Sequence, residues 1–311
     1  MTTRRLFTAD YTGLANRLEG LSLSFAIKEA YGHEICLDWP ELDALEIMDT
    51  TKRRMWPWDR IGAIRLNDCD EAQFASLGRY RSILQRSVYS PASLPKRHYL
   101  ETAAKIRLTR EYAGLLREIL AKASGRPVVG VHIRGGDFKT YDERVYDIER
   151  ARHQAVPMWW YESLLRRYRA QYPDVVFLLS HSGDPARFEP WRKAFDTIET
   201  SAHVAHTGAR EQHMSAGHPA LDLFALASCS VMIATPNSSF SHFAANALGP
   251  AASVILPPAR TTAEAPEAGV LNIHGERLPL FVSAATKPEI FKIIRGDTGL
   301  PTPAALDTGW F

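Results

Sequence analysis

The chain has 311 residues, with 37 Lys+Arg against 35 Asp+Glu and a net charge of +2. Apolar residues make up 45% and charged residues 23%, the balance of a soluble globular protein, which excludes collagen-like, disordered and disulfide-scaffold classes. The near-even charge gives no electrostatic ground for expecting a nucleic acid or an anionic membrane surface as partner.

At about 100–200 residues per domain, the length predicts two domains or one large one. The cysteines, Cys36, Cys69 and Cys229, lie far apart with no Cys-x-x-Cys, so three buried thiols are expected rather than a zinc site. Arg4 and Arg5 are followed by no apolar stretch of the signal-peptide kind, and no run approaches the ~18 apolar residues of a spanning helix. The expectation is a cytoplasmic protein with no transmembrane segment.

In chain order, Leu14, Leu18, Leu21 and Phe25 recur at helical spacing after Gly13, and Gly32 is placed to stop that helix. Glu34–Asp38 is a short strand. Residues 40–97 are irregular. A long helix is predicted from His98 to Lys122, broken by Ser124-Gly125-Arg126-Pro127, which sets the predicted boundary between domains 1–125 and 126–311. Val128–Ile133 is an apolar, β-branched run, the pattern of a strand buried on both faces. Beyond it the sequence predicts helices at Met158–Tyr172, Pro185–Phe195, Ala220–Ala227 and Ser238–Leu248. Strands are predicted at Val175–Leu179, Thr197–Glu199, Ser230–Ala234 and Ala252–Leu256. The tail from Lys287 reads as a helix and then an irregular end. Strands alternating with helices predict doubly wound parallel sheets, and ligands of such sheets bind beyond the carboxyl ends of the strands.

Those strand ends supply the chemical candidates. Arg134 follows the Val128–Ile133 strand in Arg134-Gly135-Gly136-Asp137, where a planar guanidinium can bind a phosphate through two hydrogen bonds. The plainer alternative is an ion pair with Asp137. His132 lies in the same strand, as a ligand contact or a core histidine. Thr235-Pro-Asn-Ser238-Ser239-Phe240-Ser241 opens a helix after another buried strand, so its N–H groups and hydroxyls suit an anion; plain N-capping by Asn237 or Ser238 is the alternative. Asp222 needs a partner in its apolar helix, either a guanine edge or the helix dipole. Gly13, Asn16 and Arg17 form a weaker candidate at a strand-to-helix turn. Asp142 and Glu143, past the Arg134 loop, are the candidate bases. No Walker, Rossmann Gly-x-Gly-x-x-Gly, Gly-x-Ser-x-Gly or His-Glu-x-x-His pattern occurs. The histidines from His203 to His218 show no metal-site spacing. Trp159 and Trp160 are expected in the core.

Together these residues resemble the superfamily of α1,2-, α1,6- and protein O-fucosyltransferases. Its His-x-Arg-x-x-Asp motif stands here as His132-Ile-Arg134-Gly-Gly-Asp137. The second block runs from Asp222 to Ser241, and Gly13-Leu-Ala-Asn16-Arg17 is similar to the family's opening loop. Where many α1,2- and α1,6-members carry a second arginine, this chain has Gly135. The resemblance implies a GT-B fold, two Rossmann-like domains with parallel sheets facing across a cleft. It implies GDP-fucose as donor, a glycan hydroxyl as acceptor, inversion, and no metal or other cofactor. Arg134 would hold the β-phosphate, Ser238–Ser241 the diphosphate, and Asp222 and His132 the guanine end. Asp142 matches an acidic position of the α1,6 branch. Two other readings stay open: a same-fold transferase using another nucleotide sugar, and an inactive GDP- or glycan-binding module.

Overall fold

The computed structural model describes residues 3–86, 97–135, 138–150, 154–204, 217–272, 290–296 and 298–311. Two compact units divide the chain, Met1–Glu111 and Tyr112–Phe311.

In the first unit, β1 (Arg5–Ala9) leads into α1 (Leu14–Tyr31) and then β2 (Glu34–Asp38). Leu14, Leu18, Leu21 and Phe25 are all buried. Gly32 stops α1 as expected, in the left-handed conformation at φ 73°, with its N–H donating to the Lys28 carbonyl. There follow β3 (Leu45–Ile47), β4 (Thr51–Lys52), β5 (Ile64–Leu66), α2 (Glu71–Ser76) and β6 (Ser82–Gln85). A five-stranded, all-parallel sheet takes the order β4-β2-β1-β6-β5.

The single long helix expected from His98 to Lys122 is instead α3 (Arg97–Ala103), β7 (Ile106–Leu108) and α4 (Arg110–Leu120). Ile106 and Leu108 alternate with exposed Arg107, and β7 pairs antiparallel with β3. Pairing with a strand distant in sequence overrides the local helical period.

The second unit contains β8 (Val128–Ile133), β9 (Val145–Asp147), α5 (Met158–Gln171), β10 (Val176–His181), α6 (Glu189–Ala194), β11 (Thr197–Ile198), α7 (Pro219–Ala227) and β12 (Val231–Ile233). It continues through α8 (Ser239–Phe243), β13 (Ser253–Leu256), β14 (Arg260–Thr262), β15 (Glu267–Leu271) and β16 (Lys292–Arg295). The seven-stranded sheet has the order β11-β10-β8-β12-β13-β15-β16. Its first five strands are parallel; β15 and β16 are antiparallel additions, so this sheet is mixed rather than purely parallel.

One face of this sheet packs Val129, Val131, Ile133, Phe177 and Leu179 against Trp160, Tyr161, Leu164, Leu165 and Tyr168 of α5, with Phe188 and Trp191 beside them. Trp160 is thus core, as expected, and its indole N–H donates to the Glu267 carbonyl. The other face carries α7 and α8. It includes Gly130, where an added Cβ would lie 3.1 Å from Cys229 Sγ and 3.3 Å from Leu226 Cδ2. Helices on both faces make the unit doubly wound.

Three further expectations are corrected. Pro185–Phe195 is a 3-10 turn, Pro185–Phe188, followed by α6, because Pro190 has no N–H to carry one ladder through. The Ser238–Leu248 helix is α-helical only to Phe243 and a π-helix over Ala244–Leu248. The tail expected as a helix from Lys287 contains strand β16 paired with β15; residues 287–289 lie outside the described residues. The irregular end is fastened to the sheet, with Val128 N–H donating to the Ala304 carbonyl and Trp310 stacked on Phe224. All three cysteines are free and buried. Among the described residues no helix is long and apolar enough to cross a membrane, and no group of three or more His, Cys, Asp or Glu is placed to hold a metal.

Candidate functional site

The five parallel strands of the second unit follow each other in the chain as β8, β10, β11, β12 and β13, but β12 lies on the far side of β8 from β10. The winding therefore reverses between β8 and β12, the switch point where the carboxyl ends of neighbouring strands part and leave a crevice. Arg134 follows β8 at this point, and the Thr235–Ser241 segment follows β12.

Thr235 stitches the two loops together. Its hydroxyl donates to the His132 carbonyl at 2.8 Å and accepts from the Arg134 N–H at 3.0 Å. Tyr161 OH lies 2.9 Å from the same oxygen. The single Thr235 proton is already committed, so the phenol is the third bond's donor. Burial raises the Tyr161 pKa and keeps that proton in place. Gly135 N–H donates to Ser182 Oγ at 3.0 Å, and an added Cβ there would sit 2.8 Å from the Ser182 carbonyl oxygen. A side chain at this position would press on the backbone of Ser182. The Arg134 guanidinium carbon is 5.4 Å from the centroid of the Phe138 ring, and the residue is half-buried. Asp137, its alternative partner, lies outside the described residues.

On the β12 side, Pro236 and Asn237 form a tight turn with Asn237 at φ 61°, a region an asparagine tolerates. Ser238 is the N-cap of α8 yet makes no side-chain capping bond, and its buried Oγ has no hydrogen-bond partner among the described residues. Ser241 Oγ lies 2.9 Å from His132 Nδ1, and the Phe240 ring stacks on the His132 ring at 5.1 Å. Ser239 is buried beside them. Further along, His242 Nε2 and both amide atoms of Asn246 are buried without partners among the described residues. Burial, reinforced by Arg134, His242 and His181, lowers the His132 pKa to about 3, and burial lowers that of His242 to about 4. Both rings are neutral at pH 7. The Arg134 guanidinium, the backbone N–H groups of the two loops and the Ser238 hydroxyl form a donor set for an anion at this crevice.

Asp222 and His132 are committed within the unit. Asp222 is 2% exposed; Oδ2 accepts from Ser180 Oγ at 2.9 Å and Oδ1 from the Thr200 hydroxyl. It thereby ties α7 to β10 and to the turn after β11. The sequence reading missed the neighbours of this network. Arg192 holds Glu199 through two hydrogen bonds of 2.7 and 2.8 Å, and His181 Nε2 is 3.4 Å from the same carboxylate. Burial alone raises the Glu199 pKa, but the nearby His181 ring and the Arg192 bonds outweigh it and bring it down to about 2. Glu199, Arg192, Pro185 and Ser201 line an open cavity of about 450 Å³, large enough for a nucleoside. The polar ending Ser180-His181-Ser182 on an otherwise apolar strand was the available signal.

The remaining candidates are placed differently. Gly13 caps α1, and Asn16 Nδ2 donates to Thr12 Oγ1. Arg17 is turned into the first unit: Nη2 pairs with Glu41 at 2.7 Å and Asp10 at 3.3 Å, Nε donates to the Thr12 carbonyl, and the guanidinium lies over Trp39. It is 2% exposed and part of an internal ion pair, with Nη1 buried and without a hydrogen-bond partner among the described residues. Asp142 accepts from the N–H groups of Arg144 and Val145 and from Arg150 Nη1, which hold its carboxyl below the usual range, the Arg144 bond foremost. Glu143 is exposed.

No family model matches the sequence. No curated protein matches it either. Solved structures do resemble the fold. The NodZ α-1,6-fucosyltransferase of Bradyrhizobium, co-crystallised with GDP, is 14% identical with a TM-score of 0.51, over 84% of this chain and 99% of that one. A point mutant of Arabidopsis thaliana FUT1 in complex with GDP is 11% identical with a TM-score of 0.51, over 82% and 71% of the two chains. At these identities the likeness establishes architecture: the chain is a mixed α/β protein with the GT-B type of fold found in solved fucosyltransferases.

Proposed function

We propose that the chain is a fucosyltransferase of the His-x-Arg-x-x-Asp superfamily, moving fucose from GDP-fucose to a hydroxyl of a glycan acceptor with inversion and without metal. The observation that carries this reading is Ser238 Oγ, buried and without a partner among the described residues at the switch point that also holds Arg134. A buried hydroxyl without a partner costs about 1–3 kcal/mol, and a ligand oxygen would relieve that cost. The fold shared with two GDP-bound fucosyltransferases and the His132-x-Arg134 spacing support the choice of ligand.

In the proposed reaction the acceptor oxygen forms a bond to the anomeric carbon while the bond from that carbon to the β-phosphate oxygen breaks. The hydroxyl proton passes to a base and GDP leaves with one more negative charge. Arg134, the N–H groups that open α8 and the Ser238 hydroxyl stabilise that charge as it develops. Because a fixed guanidinium supplies the positive charge, the proposal needs no metal at the diphosphate. Asp142 is the base in this reading. Its three donors keep it ionised, so it acts first as a hydrogen-bond acceptor orienting the nucleophile. His132 and Asp222, placed at the guanine end by the resemblance, act here by fixing Ser241, Ser180 and Thr200.

The test is a calorimetric titration with GDP followed by hydrolysis and transfer assays with GDP-fucose, UDP-sugars and ADP-sugars over a panel of glycan acceptors. GDP binding with turnover of GDP-fucose alone is the expected result. Turnover of a different nucleotide sugar overturns the donor, and GDP binding without any turnover overturns the enzyme.

A further inference from the structure

The first unit carries an aromatic and cationic surface that the reaction above does not use. Trp56 and Trp58 stack face to face, with ring centroids 5.1 Å apart and planes 6° apart. They are 44% and 60% exposed, although burying either indole would be favourable. The Arg54 guanidinium lies 5.4 Å from the Trp56 ring, so Trp58 ends the stack with its outer face open to solvent.

This platform is held rigidly. Asp59, in the 3-10 turn Pro57–Arg60, accepts from the Trp56 N–H at 3.0 Å and from Arg53 Nη2 at 3.0 and 3.1 Å, and its carbonyl accepts from Ser82 Oγ on β6. Next along the same turn, Arg60 joins Arg65 of β5 and Arg86 in lining a hollow of about 40 Å³, with Ala63 and Leu84 as its apolar wall. All three arginines are exposed, and among the described residues no carboxylate lies within ion-pair distance of any of them. At about 10–15 Å³ per water, the hollow takes one small anionic group and not a ring.

We propose that this surface binds an anionic oligosaccharide: one sugar ring lies on the outer face of Trp58 and a carboxylate or sulfate elsewhere on the same saccharide enters the hollow of Arg60, Arg65 and Arg86. The C–H groups on one side of a pyranose carry partial positive charge and meet the negative face of the indole. A planar guanidinium matches a carboxylate or sulfate through paired hydrogen bonds. A nucleic acid also combines rings with charge, but its backbone needs a longer basic track than one hollow, and the chain's net charge is only +2. That the saccharide is the acceptor rests on the function proposed above; the binding surface does not.

Calorimetry with trigalacturonate as probe, in the absence of GDP-fucose, tests it. Wild-type protein binds trigalacturonate more tightly than neutral maltotriose. Trp58→Ala and the pair Arg65→Gln with Arg86→Gln each weaken trigalacturonate by about tenfold or more, roughly one hot-spot contact. The paired arginine variant also shows a weaker salt dependence. GDP affinity is unchanged in all of them, which reports folding and separates this surface from the site in the second unit. Three results overturn the proposal: no trigalacturonate binding by wild type, wild-type affinity in the variants, or hexathymidylate bound more tightly than trigalacturonate.

Discussion

The Thr235 hydroxyl accepts a hydrogen bond from the Arg134 N–H at 3.0 Å, so the residue that opens the serine-lined turn also fixes the backbone of Arg134. Three bonds converge on that one oxygen. Thr235→Val keeps the shape and leaves Tyr161 OH, the His132 carbonyl and the Arg134 N–H unsatisfied. It should lower stability by about 2–4 kcal/mol in urea unfolding. Removing the stranded phenol as well, with Tyr161→Phe, should recover part of the loss, so the double variant is less destabilised than the sum of the singles. Strict additivity would mean the two groups are not coupled through this oxygen.

Arg134→Ala should reduce turnover of GDP-fucose by at least about tenfold, or about 1.4 kcal/mol of barrier. Arg134→Lys should recover little, since an ammonium cannot reproduce a two-pronged contact with phosphate. Steady-state kinetics decides it: unchanged kcat/KM in Arg134→Ala removes the phosphate role.

Ser238→Ala separates a ligand contact from a helix cap. A capping serine would cost about 1 kcal/mol of stability when truncated. Here Oγ makes no capping bond and has no partner among the described residues. The variant should therefore unfold at the wild-type urea concentration or slightly above it. Its GDP affinity should fall by about tenfold, the worth of a charge-assisted hydrogen bond. Lost stability with intact GDP affinity would assign Ser238 to the fold.

Gly135→Arg restores the double-arginine pattern and should fail to improve binding. Its Cβ meets the Ser182 carbonyl oxygen at 2.8 Å, and backbone on both sides must move. A loss of about 1–3 kcal/mol in stability is expected, together with weaker GDP binding by calorimetry. A gain in GDP affinity would mean the two loops yield easily.

The elements that announce themselves in this sequence are those whose signal is local. Val128–Ile133 shows its double-sided burial in composition, and Gly32 needs only its own φ to stop α1. The turn between Thr235 and Ser241 is likewise written in its own residues. What escaped depends on partners far along the chain. Ile106–Leu108 has helical neighbours on both sides and becomes a strand only because β3 offers an edge. That Arg17 is buried against Glu41 and Trp39 has no local signal. Asp222 reads as an unsatisfied carboxylate until Ser180 and Thr200 arrive from two other segments.

The pH dependence of stability follows from groups whose folded pKa is depressed. His132 and His242, at about 3 and about 4, stay neutral in the folded unit but take up protons in the unfolded chain below its ordinary histidine pKa of about 6.5. The pKa of His33, also lowered by burial, acts in the same direction. The unfolded state then binds more protons, so stability falls as pH drops from about 6.5 to about 4, with a slope of up to roughly three protons. Glu199 adds a second, more acidic window. Its carboxylate, held at about 2 against an ordinary value near 4.5, contributes stability that is fully present above about pH 5 and is lost on approach to pH 2. Urea midpoints between pH 7.5 and 4.5 should therefore decline mainly through the histidines. His242→Phe, which keeps the ring and removes the buried titratable nitrogen, should remove about a third of that slope, while Glu199→Gln should leave it in place and lower stability throughout. A wild-type stability that is flat from pH 7 to pH 5 would mean that none of these histidines is held neutral in the folded chain.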